Sequence, residues 1–303
     1  MRVGLVLPLF SGDAGKVLAA AERAEELGFD GVFAFDHFFP PGAPPDRPSL
    51  EAFTVLANVA ARSERLAIGT LVARAVLRPA GLLAKLACSL DGIAGPGRVI
   101  LGVGTGDPID EPEHRAYGFP SLGVRERRAH LEETVRALKA LFAGEAWPGG
   151  AWVPPLRGPL APPPPTPGGP PVWLGGQADA VVRIAARVAD GWNGWGMHVP
   201  VFRRKAALLR EEAAASGREA EATWAGIALV GEDGGEAARL LERRRERGML
   251  ESEIWAGSAD SLVGFLDRLA DAGATWAVLV PAGPSDRVEL LARAVLPRLR
   301  SRG

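Results

Sequence analysis

Short apolar runs alternate with longer stretches whose apolar residues recur every three or four positions, from one end of the 303-residue chain to the other. The runs Val3–Pro8, Gly31–Phe35, Leu66–Val72, Val99–Val103, Pro171–Leu174, Gly191–Trp195, Trp224–Val230 and Trp276–Pro281 predict eight strands. The intervening stretches predict helices. Asp13 as N-cap and Gly28 as stop bound the first, with Val17, Ala20, Ala21, Ala24 and Leu27 on one face. A second covers Ser49 to Arg62. Pro79 and Gly92 bound a third, striped by Leu82, Leu83, Leu86 and Leu90. Leu131, Val135, Leu138 and Phe142 line a charged helix from Val124 to Ala143. Further helices are expected at Ala178–Val188, Pro200–Ser216, Ser258–Ala272 and Arg287–Leu299. A charged helical segment around Arg243, Arg244 and Arg245 reads as a solvated face.

Strand followed by helix, eight times over, calls for parallel strands with helical crossovers. This pattern predicts an α/β fold of the (β/α)8 TIM-barrel kind, with residues 1–303 forming one domain. A doubly wound sheet is the alternative, but no G-x-G-x-x-G follows the first strand. Residues 148–171 break the rhythm with 11 of the chain's 26 prolines, and are expected to form an insertion loop rather than a linker, because the alternation resumes afterwards.

Composition narrows the function. Lys+Arg is 35 against Asp+Glu 36, so neither a nucleic-acid nor an anionic-membrane surface is expected. Pro8, Gly12 and Asp13 interrupt the first apolar run too early for a signal peptide, and no long apolar span occurs, so a cytoplasmic protein is expected. The single cysteine, Cys88, sits among apolar neighbours and is read as structural. His37, His114, His130 and His198 form no metal-ligand spacing, and no metal is expected.

In a barrel of this kind the chemistry lies at the carboxyl ends of the strands. Those positions hold Asp36-His37-Phe38, then Gly102 to Asp107 with Asp110 and Glu111, then Gly175-Gly176-Gln177, then Trp195 to His198. His37 is the candidate for proton transfer, and Asp36 could accept from a ligand N–H or cap its own loop. Gly104 and Gly106 would let backbone approach a ligand. Gly175-Gly176 opens a helix, which suits a phosphate. Asp107 and Glu111 are candidate proton donors or loop charges, and Trp192, Trp195 and Trp224 could wall a pocket or pack the core.

Gly28-Phe29-Asp30-Gly31-Val32-Phe33, Asp36-His37-Phe38, Arg78-Pro79-Ala80, Ser89-Leu90-Asp91, Gly97 to Gly106, Pro171 to Gly176 and Ala189-Asp190-Gly191-Trp192 stand in a fixed order. In this the chain resembles the bacterial luciferase-like superfamily, and most of all its coenzyme F420-dependent oxidoreductase branch. The resemblance spans residues 3 to about 300. It implies a homodimeric TIM barrel that binds a deazaflavin or flavin at its carboxyl rim. The ring would rest on a bulge at Leu71-Val72, often the place of a non-proline cis peptide. Asp36 and His37 would lie near the ring, Gly104, Thr105 and Gly106 beside the cofactor, and the backbone of Gly175, Gly176 and Gln177 on its phosphate. Asp107 stands where related dehydrogenases carry a glutamate acid; its shorter side chain leaves Glu111 as the substitute. Residues 148–171 would cover the site. Trp195 and His198 would meet substrate, and the lysines of sugar-phosphate dehydrogenases are missing there, which implies a small neutral or apolar substrate. The alternatives are an FMN-dependent monooxygenase supplied by a separate flavin reductase, and a non-catalytic flavin-binding relative.

Overall fold

The computed structural model describes residues 1–246 and 254–300. The elements are β1 (Arg2–Val6), α1 (Ala14–Glu26), β2 (Gly31–Ala34), α2 (Ala52–Arg62), β3 (Ala67–Arg74), α3 (Ala80–Ala94), β4 (Val99–Gly104), α4 (Glu111–Tyr117), α5 (Val124–Phe142) and β5 (Val172–Gly175). They continue with α6 (Asp179–Val188), β6 (Gly191–Trp195), α7 (Val199–Ala215), β7 (Glu221–Gly231), α8 (Gly234–Arg245), β8 (Ile254–Ser258), α9 (Ala259–Asp271), β9 (Ala274–Ala282), α10 (Arg287–Ala294) and α11 (Leu296–Arg300). Parallel pairing runs β6-β5-β4-β3-β2-β1-β9-β7, and β6 pairing with β7 closes the ring into an eight-stranded barrel. β7 is long enough to pair twice along one edge: Glu221–Ala225 with β6, and Ile227–Gly231 with β8.

The predicted boundaries shift where side chains override local signals. Asp13 caps α1 by accepting from the Lys16 N–H, and Gly28 ends the turn at φ 84°. Gly92 does not end α3, which continues to Ala94 and stops at Gly95, φ 89°. The final helix breaks at Val295 into α10 and α11. Two elements are additional to the prediction. α4 (EPEHRAY) has no apolar period, and β8 (IWAGS) is too short a run to register as a strand.

The barrel interior is plugged. Phe33 stacks on Trp173 at 5.7 Å and meets Trp276 edge-on at 5.6 Å; all three side chains are fully buried. Glycines make the room: a Cβ on Gly4 or Gly69 would lie 2.8 Å from the Phe33 ring. The second apolar layer lies between the strands and the helices, and includes Cys88, whose thiol is pushed up to about 11, chiefly by burial. The lone cysteine is therefore a packing residue.

The proline-rich segment packs along α3 and α5. The Glu133 carboxylate accepts from the N–H groups of Ala151, Trp152 and Val153 at 3.0, 2.8 and 3.0 Å. Asp91 accepts from the Thr166 N–H and hydroxyl, and Lys85 donates to the Ala161 carbonyl. Val153 is buried with Ala80 and Ala137. With few N–H donors the segment makes only a short bridge, Leu156 with Trp147, and helix carboxylates hold several of its other N–H groups. Among the described residues no helix is long and apolar enough to cross a membrane.

Candidate active site

The carboxyl ends of β1 to β6 and β9 open onto one rim. Above the aromatic plug, Phe35, Val72, Trp195 and Val280 pack on the interior cluster while remaining partly exposed. Phe35 repeats Phe33 two residues on and so faces the same side of β2, one layer higher. Phe10 stacks on it at 5.7 Å, and Trp195 meets it edge-on at 5.7 Å. These rings make an apolar floor.

His37 stands at its edge, 6.0 Å from the Phe10 ring centre. Its Nδ1 lies 2.8 Å from Glu113 Oε1. Its Nε2 has no hydrogen-bond partner among the described residues, and the side chain is 18% exposed. Glu113 is 1% exposed; its Oε2 accepts from the Phe38 N–H at 2.9 Å and from Arg74 Nη2 at 2.6 Å. Burial works against the ionised carboxylate, but the hydrogen bonds from His37 and Phe38 and the Arg74 charge outweigh it, and hold Glu113 below the ordinary glutamate value.

The Asp36 side chain is taken up within the protein. Its carboxylate, 5% exposed, accepts a bidentate pair from Arg78 at 2.7 and 3.0 Å and the Arg74 N–H at 3.1 Å, while Arg74 Nε donates to its carbonyl. It is engaged with the protein, and it fixes the strand end that carries His37. Glu51, at the cap of α2, holds Arg78 from the other side at 2.9 Å.

The glycines of β4 and β5 also have another explanation. The peptide bond between Leu71 and Val72 is cis. The register of β3 on β4 shifts there, and the Val72 side chain turns into the wall. A Cβ on Gly104 would lie 2.4 Å from Val72 Cγ2, and one on Gly175 2.9 Å from Cγ1. Gly104 and Gly175 therefore seat a neighbouring side chain. Gly106, at φ 71°, turns the chain instead, and Arg127 holds its carbonyl at 2.9 Å. Thr105 donates to the same carbonyl.

Across the mouth, Gly176 (φ 155°) leads into α6, whose N-terminus no side chain caps. The indole N–H of Trp192 holds the Gly176 carbonyl at 2.8 Å, and Gln177 Nε2 donates to the Trp195 carbonyl at 3.2 Å.

The sequence matches the luciferase-like monooxygenase family over residues 1–288. This chain belongs to that family. Curated relatives include the F420-dependent glucose-6-phosphate dehydrogenase of Nakamurella multipartita, 30% identical over 298 residues and covering 89% of this chain and 80% of its own. The enzyme of the same name from Beutenbergia cavernae is 32% identical over 291 residues, covering 90% and 82%. Among solved structures, an F420-dependent secondary alcohol dehydrogenase in complex with an F420-acetone adduct superposes with a TM-score of 0.85 over 99% of both chains, at 18% identity. The EDTA monooxygenase of Chelativorans sp. superposes at 0.82, over 100% of this chain and 94% of its own, at 19% identity. At that identity the solved structures speak for the fold.

Within this luciferase-like barrel the predicted residues divide. His37, Val72, Thr105, Gly106, Gly176, Gln177 and Trp195 lie at the carboxyl ends of the strands, and Leu71 is buried in the interior cluster. Trp192 and Trp224 lie in the core, with their N–H groups on the carbonyls of Gly176 and Met197. His198 is exposed at the start of α7. Asp107 is exposed, and Glu111 accepts from the Ser121 hydroxyl at 2.7 Å. The carboxylate that reaches His37 is Glu113. Residues 111 and 113 lie about 200° apart around a helix, so when one faces the barrel the other faces away. Glu113 and Arg74 carried no signal in the sequence beyond their nearness to strand ends. The donor atoms of His37, Asp110 and Glu113 lie within 4.8 Å of one another, but Arg74 already supplies the positive charge there, so the set fits an ion-pair network better than a metal site.

Proposed function

We propose that the chain is a coenzyme F420-dependent oxidoreductase that exchanges hydride between the deazaflavin and a small, neutral or apolar organic substrate, with His37 carrying the coupled proton. The observation that carries this is His37 itself: Nδ1 engaged by a buried carboxylate, Nε2 without a hydrogen-bond partner among the described residues, at the edge of an aromatic floor. The curated relatives support the choice of cofactor.

The residues present fit such a group. Phe10, Phe35, Val72 and Trp195 offer an apolar surface for a flat ring, and the uncapped N-terminus of α6 beside Gly176 offers N–H groups for a phosphate. When bound, F420 would supply a ring carbon that takes up or gives hydride. The chain's own part is to exclude water at the floor and to hold or release a proton at His37 Nε2.

The rim's charges support an uncharged substrate. Arg74, Arg78 and Arg127 are all engaged by protein oxygens, and Lys85, Lys139 and Lys205 donate to Ala161, Asp190 and Asp179 on the outer layer. That leaves a poor site for a sugar phosphate.

We also read the protein as a cytoplasmic homodimer of one domain. Leu82 and Ile93, each 50% exposed, share a face of α3 and support self-association; a monomer in sedimentation at micromolar concentration would remove that part.

Equilibrium binding of F420 and of FMN, with secondary alcohols and glucose 6-phosphate as substrates, tests the whole reading. F420 binding with turnover of the uncharged alcohols is expected. Binding of FMN alone would overturn it in favour of a monooxygenase that draws reduced flavin from a reductase. Replacing His37 by Ala should lower kcat by about 10²–10⁴-fold while F420 still binds.

A further inference from the structure

We propose that Glu113 is a positioning residue that locks the neutral His37 ring with its proton on Nδ1, so that an alcohol hydroxyl meets an open lone pair on Nε2. The inference rests on the oxidoreductase reading and adds to it how His37 is held and which of its nitrogens carries the proton.

The argument is one of donors and acceptors. Glu113 Oε2 has two donors aimed at it, the Phe38 N–H and Arg74 Nη2. They fix the plane of the carboxylate and leave Oε1 facing His37 Nδ1 at 2.8 Å. An ionised carboxylate only accepts, so Nδ1 must donate, and in a neutral imidazole the lone pair then falls on Nε2. Burial works against the charge, but the hydrogen bonds from His37 and Phe38 and the Arg74 charge favour the ionised carboxylate.

The groups facing the ring are consistent with this. Asp110, 3.7 Å from Nδ1, comes from the turn before α4, and Glu113 from α4 itself. Phe10 and Phe35, from the ends of β1 and β2, contribute no charge. Arg74 reaches Glu113, and through it the ring.

In the oxidation the O–H bond of the alcohol breaks and its proton goes to Nε2. The carbinol C–H bond would break as C=O forms, with oxidised F420, when bound, supplying the hydride acceptor. The imidazolium left behind rests against the Glu113 carboxylate until its Nε2 proton passes to water.

Glu113→Gln gives an inverted outcome. The two donors at the Oε2 position require an oxygen there, so the amide NH2 must turn toward Nδ1. Nδ1 then becomes the acceptor, and the proton moves to Nε2, where it blocks the base. The experiment is ¹⁵N–¹H correlation spectroscopy of histidine-labelled protein without cofactor, with His37→Asn to assign the signal. Wild type should show Nδ1–H and Glu113→Gln should show Nε2–H. Alcohol oxidation by the variant should fall by about 10²–10⁴-fold in kcat with F420 affinity unchanged.

The wild-type spectrum decides the first half even if the variant folds poorly: Nε2–H in wild type overturns the proposal, as does a variant that folds and keeps the wild-type tautomer. If the tautomers behave as expected but F420 does not bind wild type, the cofactor reading falls and the role of Glu113 in orienting His37 stands.

Discussion

At the residue scale, the least expected arrangement is the seat for Val72. Spaced glycines at 102, 104 and 106 look in the sequence like room for a ligand. In the structure a Cβ on Gly102 would lie 2.2 Å from the Thr70 carbonyl and one on Gly104 2.4 Å from the Val72 side chain. Space beside a glycine cannot be assigned from one strand alone, because its occupant comes from the neighbouring strand. Gly104→Ala should therefore cost about 1–3 kcal/mol of stability through overpacking, and should also weaken F420 binding by displacing Val72 from the rim. Urea melts and cofactor titration check the two effects together; an unchanged affinity would separate Val72 from the cofactor. The same limit explains Glu113. His37 was legible as a proton carrier from its place at a strand end, whereas its partner lies 76 residues on, in a helix whose polar sequence gives no period.

At the scale of elements, most strands and helices were written in the apolar period, and the exceptions share a cause. α3 overruns Gly92 because that position faces open space and nothing there stops the helix, whereas Gly95 can adopt the left-handed turn. The proline-rich segment was legible as extended chain, but its docking partner was not, since the clasp depends on Asp91 and Glu133 on two different helices.

That clasp depends on pH. Burial raises the Glu133 value, but the N–H groups of Trp152, Val153 and Ala151 outweigh it and hold the folded value below the ordinary 4.5. A depressed folded value means that the clasp's stabilisation is fully present above about that ordinary value and fades as pH falls through the folded one. Glu133→Gln should therefore mimic acid at neutral pH. Amide exchange at Ala151, Trp152 and Val153 should quicken in the variant, with β4 and β5 unaffected; equal protection in both proteins would show that the segment is held by its apolar contacts.

At the scale of the whole molecule, the eight-fold strand–helix repeat gave the barrel, its closure and the end that holds the site, because those follow from connection rules rather than from particular contacts. The doubling of β7's edge by β8 was not legible, since strand pairing across residues 227–231 depends on register that local sequence does not encode.

The plug of Phe33, Trp173 and Trp276 has a kinetic consequence. A barrel stoppered at its middle has a single doorway, so two ligands that share it cannot come and go independently. Whichever lies deeper must arrive first and depart last. Steady-state product inhibition should then follow a compulsory-order pattern, with one product competitive against the first ligand only. Random-order kinetics would mean that a second route opens through the wall during turnover.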